Sequence, residues 1–181
     1  MLAATEALVA TEGPEAVTTT RIAALTGVAV GTIYRYYPNR EALLLAAYDA
    51  TVDRIVSACA ARLATLEPGQ AAREAVTGLL GTYLATAEAI PAHFALLREM
   101  RRLRPQAADA NERIQAEIIL PLVARYGLGA GAAAPGRLEV IYALLSTLVD
   151  LYLVSEDDDM RANIRAELEA HALFALARLS G

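Results

Sequence analysis

The chain has 181 residues, 56% hydrophobic and 20% charged, with a net charge of −5 at pH 7. That apolar content supports a sizeable buried core and excludes a disordered chain, and the acidity excludes a protein that coats nucleic acid broadly. Cys59 is the only cysteine, which excludes an internal disulfide framework and a cysteine-based zinc site.

Lysine is absent, so all 16 basic residues are arginine, and alanine is abundant; both are strong helix formers. No basic segment followed by an apolar run opens the chain, and no run approaches the roughly 18 apolar residues of a membrane span. The expectation is a cytoplasmic protein.

Helix signals fill the sequence, and no segment alternates with the period of a strand. A first helix runs from Leu2 to Thr11 and stops at Gly13-Pro14, a residue suited to a left-handed helix end followed by one that cannot continue a helix. The threonines Thr18 to Thr20 supply an N-cap for a short helix over Thr19–Leu25, closed by Gly27. A third helix covers Val30–Tyr36 and ends at Tyr37-Pro38. Asn39 then caps a long helix from Arg40 to Leu66, broken by Glu67-Pro68-Gly69. Further helices are predicted over Gln70–Glu88, Pro91–Arg102, Ala107–Tyr126, Gly136–Val154 and Asp159–Leu179, with a loop at 127–131. About nine helices with short connections make an all-α protein.

The second and third helices, joined by a glycine-containing turn, have helix-turn-helix spacing. Ile22, Ala23, Leu25, Val28 and Ile33 are spaced to meet in one small core. The residues Ile22-Ala23, Gly27-Val28, Gly31-Thr32-Ile33-Tyr34 and Tyr36-Tyr37-Pro38-Asn39-Arg40-Glu41-Ala42-Leu43 resemble the signature of the TetR (tetracycline-repressor-like) regulators. The resemblance implies an N-terminal three-helix DNA-binding domain over residues 1–45. It implies a helical ligand-binding and dimerisation domain over 46–181, and it makes Tyr37 an aromatic core plug.

The residues also suit a DNA reader in their own right. A recognition helix needs side chains that reach base edges and neighbours that hold phosphates. Arg35 can be bidentate to guanine, worth roughly 1–3 kcal/mol of discrimination. Thr32, Tyr34 and Tyr36 offer hydroxyls suited to phosphate or base-edge contacts, and Gly31 lets the backbone approach the duplex. Thr18 and Thr19 open the preceding helix and join the candidate contacts. Arg40 stands at the start of the long helix, where it can meet a phosphate.

Two features depart from the family. Members usually carry a basic segment before the first helix, whereas this chain begins almost inside it. Residues 1–50 hold three arginines against five acids. Phosphate attraction dominates affinity, so two explanations stay open: the reader binds weakly, or a basic segment precedes Met1.

The helix over Gly136–Val154 is apolar almost all round and needs cover on both faces. With the last helix it resembles the family's dimer interface, with Leu144, Leu148, Leu151, Leu168, His171, Phe174 and Ala175 as the candidate contacts. A pocket among the middle helices would be lined by Tyr83, His93, Phe94, Leu97, Ile118, Leu122, Tyr142 and Ser146. Apolar walls with a few polar tips suit a hydrophobic or aromatic effector. Arg98, Arg101, Arg102 and Arg104 form a charge run that reads either as a solvated face or, by resemblance, as a relay to the DNA-binding domain.

His93 and His171 lie far apart and neither has ligands at metal spacing. No phosphate loop or nucleophile elbow occurs, so neither an enzyme nor a cofactor is expected. The expected partners are operator DNA, a small effector and a second copy of the chain. The alternative is a dimeric small-molecule binding protein whose helix-turn-helix is vestigial.

Overall fold

The computed structural model describes residues 1–103, 113–126 and 136–179. Among these residues there are nine α-helices and no strand, as the sequence predicts. They are α1 (Leu2–Glu12), α2 (Thr19–Thr26), α3 (Val30–Tyr36), α4 (Arg40–Ala64) and α5 (Ala72–Glu88), followed by α6 (His93–Leu103), α7 (Leu120–Arg125), α8 (Arg137–Val154) and α9 (Asp158–Leu179). The expected 127–131 loop, the first turns expected from Ala107, and Arg104 lie outside the described residues.

The predicted punctuation is the punctuation found. Gly13 ends α1 at φ 84° and Gly27 ends α2 at φ 67°, backbone conformations that glycine adopts without a Cβ penalty. The Thr18 side chain accepts from the Arg21 amide at 3.1 Å, and Asn39 Oδ1 accepts from the Ala42 amide at 2.7 Å. Asp157 Oδ1 caps α9 in the same way, at 2.7 Å from the Met160 amide, so that helix starts one residue earlier than expected.

Two local features were not anticipated. Pro14–Ala16 forms a turn of 3₁₀ helix between α1 and α2. Gln115–Ile119 is a wider π-helical turn running straight into α7. Its wide bond runs from the Leu120 amide to the Gln115 carbonyl, five residues back.

The described residues divide into two compact units. One comprises Met1–Ile55 with the segment from Thr86, and so contains α1, α2, α3, most of α4, and α6. The other comprises Val56–Ala85 with the segment from Arg113. The boundary expected near residue 45 falls inside α4, which continues from one unit into the other.

In the first unit α1 packs on α2 and α6, and α2 packs on α3. Leu8, Val9, Val17, Ile22, Ala23, Ile33, Leu43 and Leu44 are buried there. Leu25, expected in that core, is 58% exposed, because at 100° per residue it lies on the opposite side of α2 from Ala23. In the second unit α8 and α9 pack together, with Tyr152, Leu153, Ile164, Leu168 and Ala175 buried.

Candidate nucleic-acid interface

The seven residues of α3 present one buried anchor and a polar outer face. Ile33 is fully buried, while Gly31, Thr32, Tyr34, Arg35 and Tyr36 are exposed and Tyr37 is half-buried. Arg35 has no ion-pair or hydrogen-bond partner among the described residues, so its five donors are available to a ligand. The α3 face therefore brings together Arg35, expected at a base edge, and the Thr32, Tyr34 and Tyr36 hydroxyls, expected at phosphates or base edges.

The other arginines of this region are engaged within the chain. Arg21 pairs with Glu12, and Arg54 pairs with Glu6. Arg40, expected to meet a phosphate, is turned inward. Its Nε donates to the Val17 carbonyl at 3.1 Å and its Nη2 to the Pro14 carbonyl at 2.7 Å, with Glu15 at 3.2 Å. The unanticipated 3₁₀ turn sets both acceptors in place: the Pro14 carbonyl takes the Val17 amide at 3.1 Å and Arg40 on its second lone pair, and the carbonyl of the buried Val17 takes Arg40. A proline-opened turn beside an arginine-headed helix is the sequence signal for this clasp.

Thr18 caps α2, so its oxygen already has a backbone donor. Thr19 is buried rather than exposed to DNA, and its hydroxyl donates to the Tyr34 phenol oxygen at 3.1 Å. Thr19 supports the reader from behind its surface, while the exposed Thr18 caps its first helix.

Next to the reader, α6 packs against α1 and the 3₁₀ turn. His93, at the head of α6, is fully buried. Its Nδ1 lies 2.8 Å from Thr51 Oγ1, and its ring stacks on Tyr48 at 5.8 Å between centroids. Burial first, and then the Arg54 charge, lower its pKa from 6.5 to about 4, so the imidazole is neutral at neutral pH. Tyr48 and Thr51, one turn apart on α4, are functional-looking residues that the sequence pattern did not single out. Of the charge run, Arg98 and Arg102 are exposed and Arg101 is half-buried. Arg102 is bonded to Glu99 at 2.8 Å, and that bond, helped by the Glu15 and Glu41 charges, raises its pKa.

The effector candidates are divided between the two units. His93, Phe94 and Leu97 belong to the first unit; Tyr83, Ile118, Leu122, Tyr142 and Ser146 belong to the second. Leu97 and Ile118 are buried, the others of the set besides His93 are half-buried, and Ser146 donates to the Ala143 carbonyl at 3.1 Å. An open groove of about 550 Å³ in the second unit is lined by Arg73, Ala166, Glu169, Ala170, Leu173 and Phe174, none of them in that set.

The expected dimer contacts divide by burial. Leu144, Leu151 and Phe174 are exposed, joined by Val140, Val154 and Met160. Val140, Leu144, Leu151 and Val154 follow three-, four- and seven-residue steps that keep them on one face of α8. Leu148 and His171 are half-buried, and His171 Nδ1 is 2.8 Å from the Glu167 carbonyl. Leu168 and Ala175 are closed into the chain's own core and leave the interface list. Among the described residues no group of side chains could hold a metal ion, and no helix is long and apolar enough to cross a membrane.

Two short helices joined by the Gly27 turn, the second with a buried anchor and an exposed polar face, have the geometry of a helix-turn-helix. Residues 1–47 match the model of the bacterial regulatory proteins of the tetR family, and the whole chain has the all-helical fold of that family's regulators. The TetR family repressor AlkX from Dietzia sp. strain DQ12-45-1b, implicated in biodegradation of n-alkanes, superposes with a TM-score of 0.68 at 15% identity, over 96% of this chain and 92% of that one. A TetR family transcription regulator from Marinobacter aquaeolei VT8 superposes with a TM-score of 0.59 at 19% identity, over 98% of this chain and 92% of that one. No curated protein matches the chain in sequence.

Proposed function

We propose that the chain is a ligand-responsive repressor that binds operator DNA as a homodimer and is released by a small hydrophobic or aromatic effector. The observation that carries this reading is the α3 face, where Thr32, Tyr34, Arg35 and Tyr36 stand exposed over the buried Ile33. Arg35 reads a base and the hydroxyls hold the backbone. The repressor role draws on the Dietzia protein's description.

The exposed apolar stripe of α8, with Phe174 on α9, supports pairing of two copies, which half-site reading requires. Within the first unit, α6 touches the 3₁₀ turn that Arg40 clasps and reaches α4 through the His93–Thr51 bond. A shift of α6 on effector binding therefore has two routes to the head of α4 and the reader.

Selection of bound fragments from random duplex DNA by the purified protein tests the reading. A single enriched, two-fold symmetric sequence supports it. A second reading has its own support: Arg21 and Arg40 are both tied to acids of the same unit, leaving little free positive charge. It takes the chain as a dimeric small-molecule binding protein with a vestigial helix-turn-helix, and recovery of no enriched sequence favours it.

A further inference from the structure

Threonines within the helices spend their hydroxyl proton on the preceding turn. Thr5, Thr11, Thr26, Thr77 and Thr82 each donate to the carbonyl four residues back. Thr19 differs because it is the first residue of α2 and has no preceding turn of that helix. Its proton goes to the phenol oxygen of Tyr34 instead, at 3.1 Å.

The two side chains are unequal in exposure. Thr19 is 8% exposed and Tyr34 is 51% exposed. A short, buried, β-branched side chain with few rotamers therefore holds the polar tip of an exposed one. A phenol has one proton to donate. With Thr19 donating to the oxygen, that proton is directed away from Thr19 and toward the exposed side.

A donor aimed outward needs an acceptor, and phosphate oxygens are acceptors only. In a helix-turn-helix the first helix crosses the DNA backbone while the second enters the groove. A hydroxyl tied to the first residue of α2 lies with the backbone-crossing helix, away from the bases that Arg35 faces.

We propose that Thr19 is a positioning residue that orients the Tyr34 phenol as a donor to a backbone phosphate of the operator, an assignment resting on the DNA-binding reading above. Thr19 itself touches no DNA. Because a phosphate contact carries no sequence information, the pair contributes equally to every duplex.

The test measures affinity of the full chain for the selected duplex and for a scrambled duplex of the same length. The variants are Tyr34→Phe, Thr19→Val, Thr19→Ser and the Phe/Val double. Tyr34→Phe is expected to weaken both duplexes by about tenfold, the effect of one hydrogen bond to a charged acceptor. Thr19→Val should lose much of that factor, the double should be no weaker than Tyr34→Phe alone, and Thr19→Ser should restore wild-type affinity. Losses that multiply in the double, wild-type affinity in Thr19→Val, or a loss confined to the selected duplex overturns the assignment. If Thr19→Val does not fold, as thermal unfolding will report, Tyr34→Phe decides: equal loss on both duplexes supports it and wild-type affinity overturns it. A wild-type chain that binds neither duplex overturns this inference and the DNA-binding reading together, whereas multiplicative losses leave that reading standing.

Discussion

Replacing Arg40 by alanine separates two roles that the sequence alone cannot distinguish. The guanidinium makes two charge-assisted bonds, to the carbonyls of Val17 and Pro14, and its side chain is 22% exposed. The Glu15 carboxylate beside it is 84% exposed, so the ion pair itself adds almost nothing. Hydrogen bonds to charged groups contribute about 1.5–3 kcal/mol each, and here the truncation also strands the carbonyl of the fully buried Val17. The two bonds overlap in what they hold, so Arg40→Ala should cost about 3 kcal/mol in all. For a chain of this size that lowers the melting temperature by roughly 6–12 °C. Arg40→Lys keeps the charge but not the fork and should lose about half as much. Differential scanning calorimetry gives the melting temperatures, and DNA titrations at several salt concentrations give the slope of log K against log salt. The expected result is a large thermal shift with an unchanged slope. An unchanged melting temperature with a slope shallower by about one would refute the clasp and return Arg40 to a phosphate.

Three further outcomes are expected. His93 is held neutral when folded, with a pKa of about 4 against 6.5 unfolded, so the unfolded state binds the extra proton between those values. Stability must then fall as pH drops from about 6.5 toward 4, and urea unfolding at pH 4.5 and 7 should show His93→Gln losing about 2 kcal/mol less than wild type on acidification; equal losses would contradict the burial of a neutral imidazole. Arg35→Ala should cost roughly 1–3 kcal/mol on the selected duplex and little on a scrambled one, and a uniform loss would make Arg35 a phosphate contact. Leu144→Asp and Phe174→Asp place charges at exposed apolar positions and should give monomers by light scattering while still folding; persistence of the dimer in both would remove this face from the interface.

Much of the reader was legible because its boundaries are set by local chemistry. Gly13, Thr18, Gly27 and Asn39 each act on backbone within a few residues, and α3 spans the predicted Val30–Tyr36. The directions of long side chains were not legible. Arg40 turns toward carbonyls 23 and 26 residues away, and Thr19 meets Tyr34 only at the angle the two helices make once packed. His93 was likewise expected in the pocket lining, because its partners Tyr48 and Thr51 lie more than 40 positions earlier. On α8 the difficulty was different: a helix apolar on every side carries no signal for which side turns inward. Burial alone separates the exposed Leu144 and Leu151 from the buried Tyr152 and Leu153, just as on α9 it separates Phe174 from Leu168.

The placement of arginines bears on why the proposed reading calls for two copies. Of the four arginines among residues 1–54, Arg21, Arg40 and Arg54 each have an acid partner, and Arg35 alone faces outward without one. Counterion release scales with the number of phosphates neutralised, so one reader taken alone gains little from the duplex. On the proposed reading the exposed Tyr34 and Tyr36 add hydroxyl contacts, which hold a backbone without releasing many ions. A half-site bound this weakly becomes useful when the second reader is tethered to the first and sees its own half-site at an effective concentration near millimolar. On the proposed reading, the apolar stripe of α8 therefore contributes to operator affinity as much as the recognition helix does. A monomeric Leu144→Asp chain should then bind the selected duplex no better than a scrambled one at physiological salt, even though its α3 is intact. If that variant, verified monomeric, kept the wild-type affinity and preference, a single reader would suffice, and the low free charge of α1 to α3 would have no bearing on pairing.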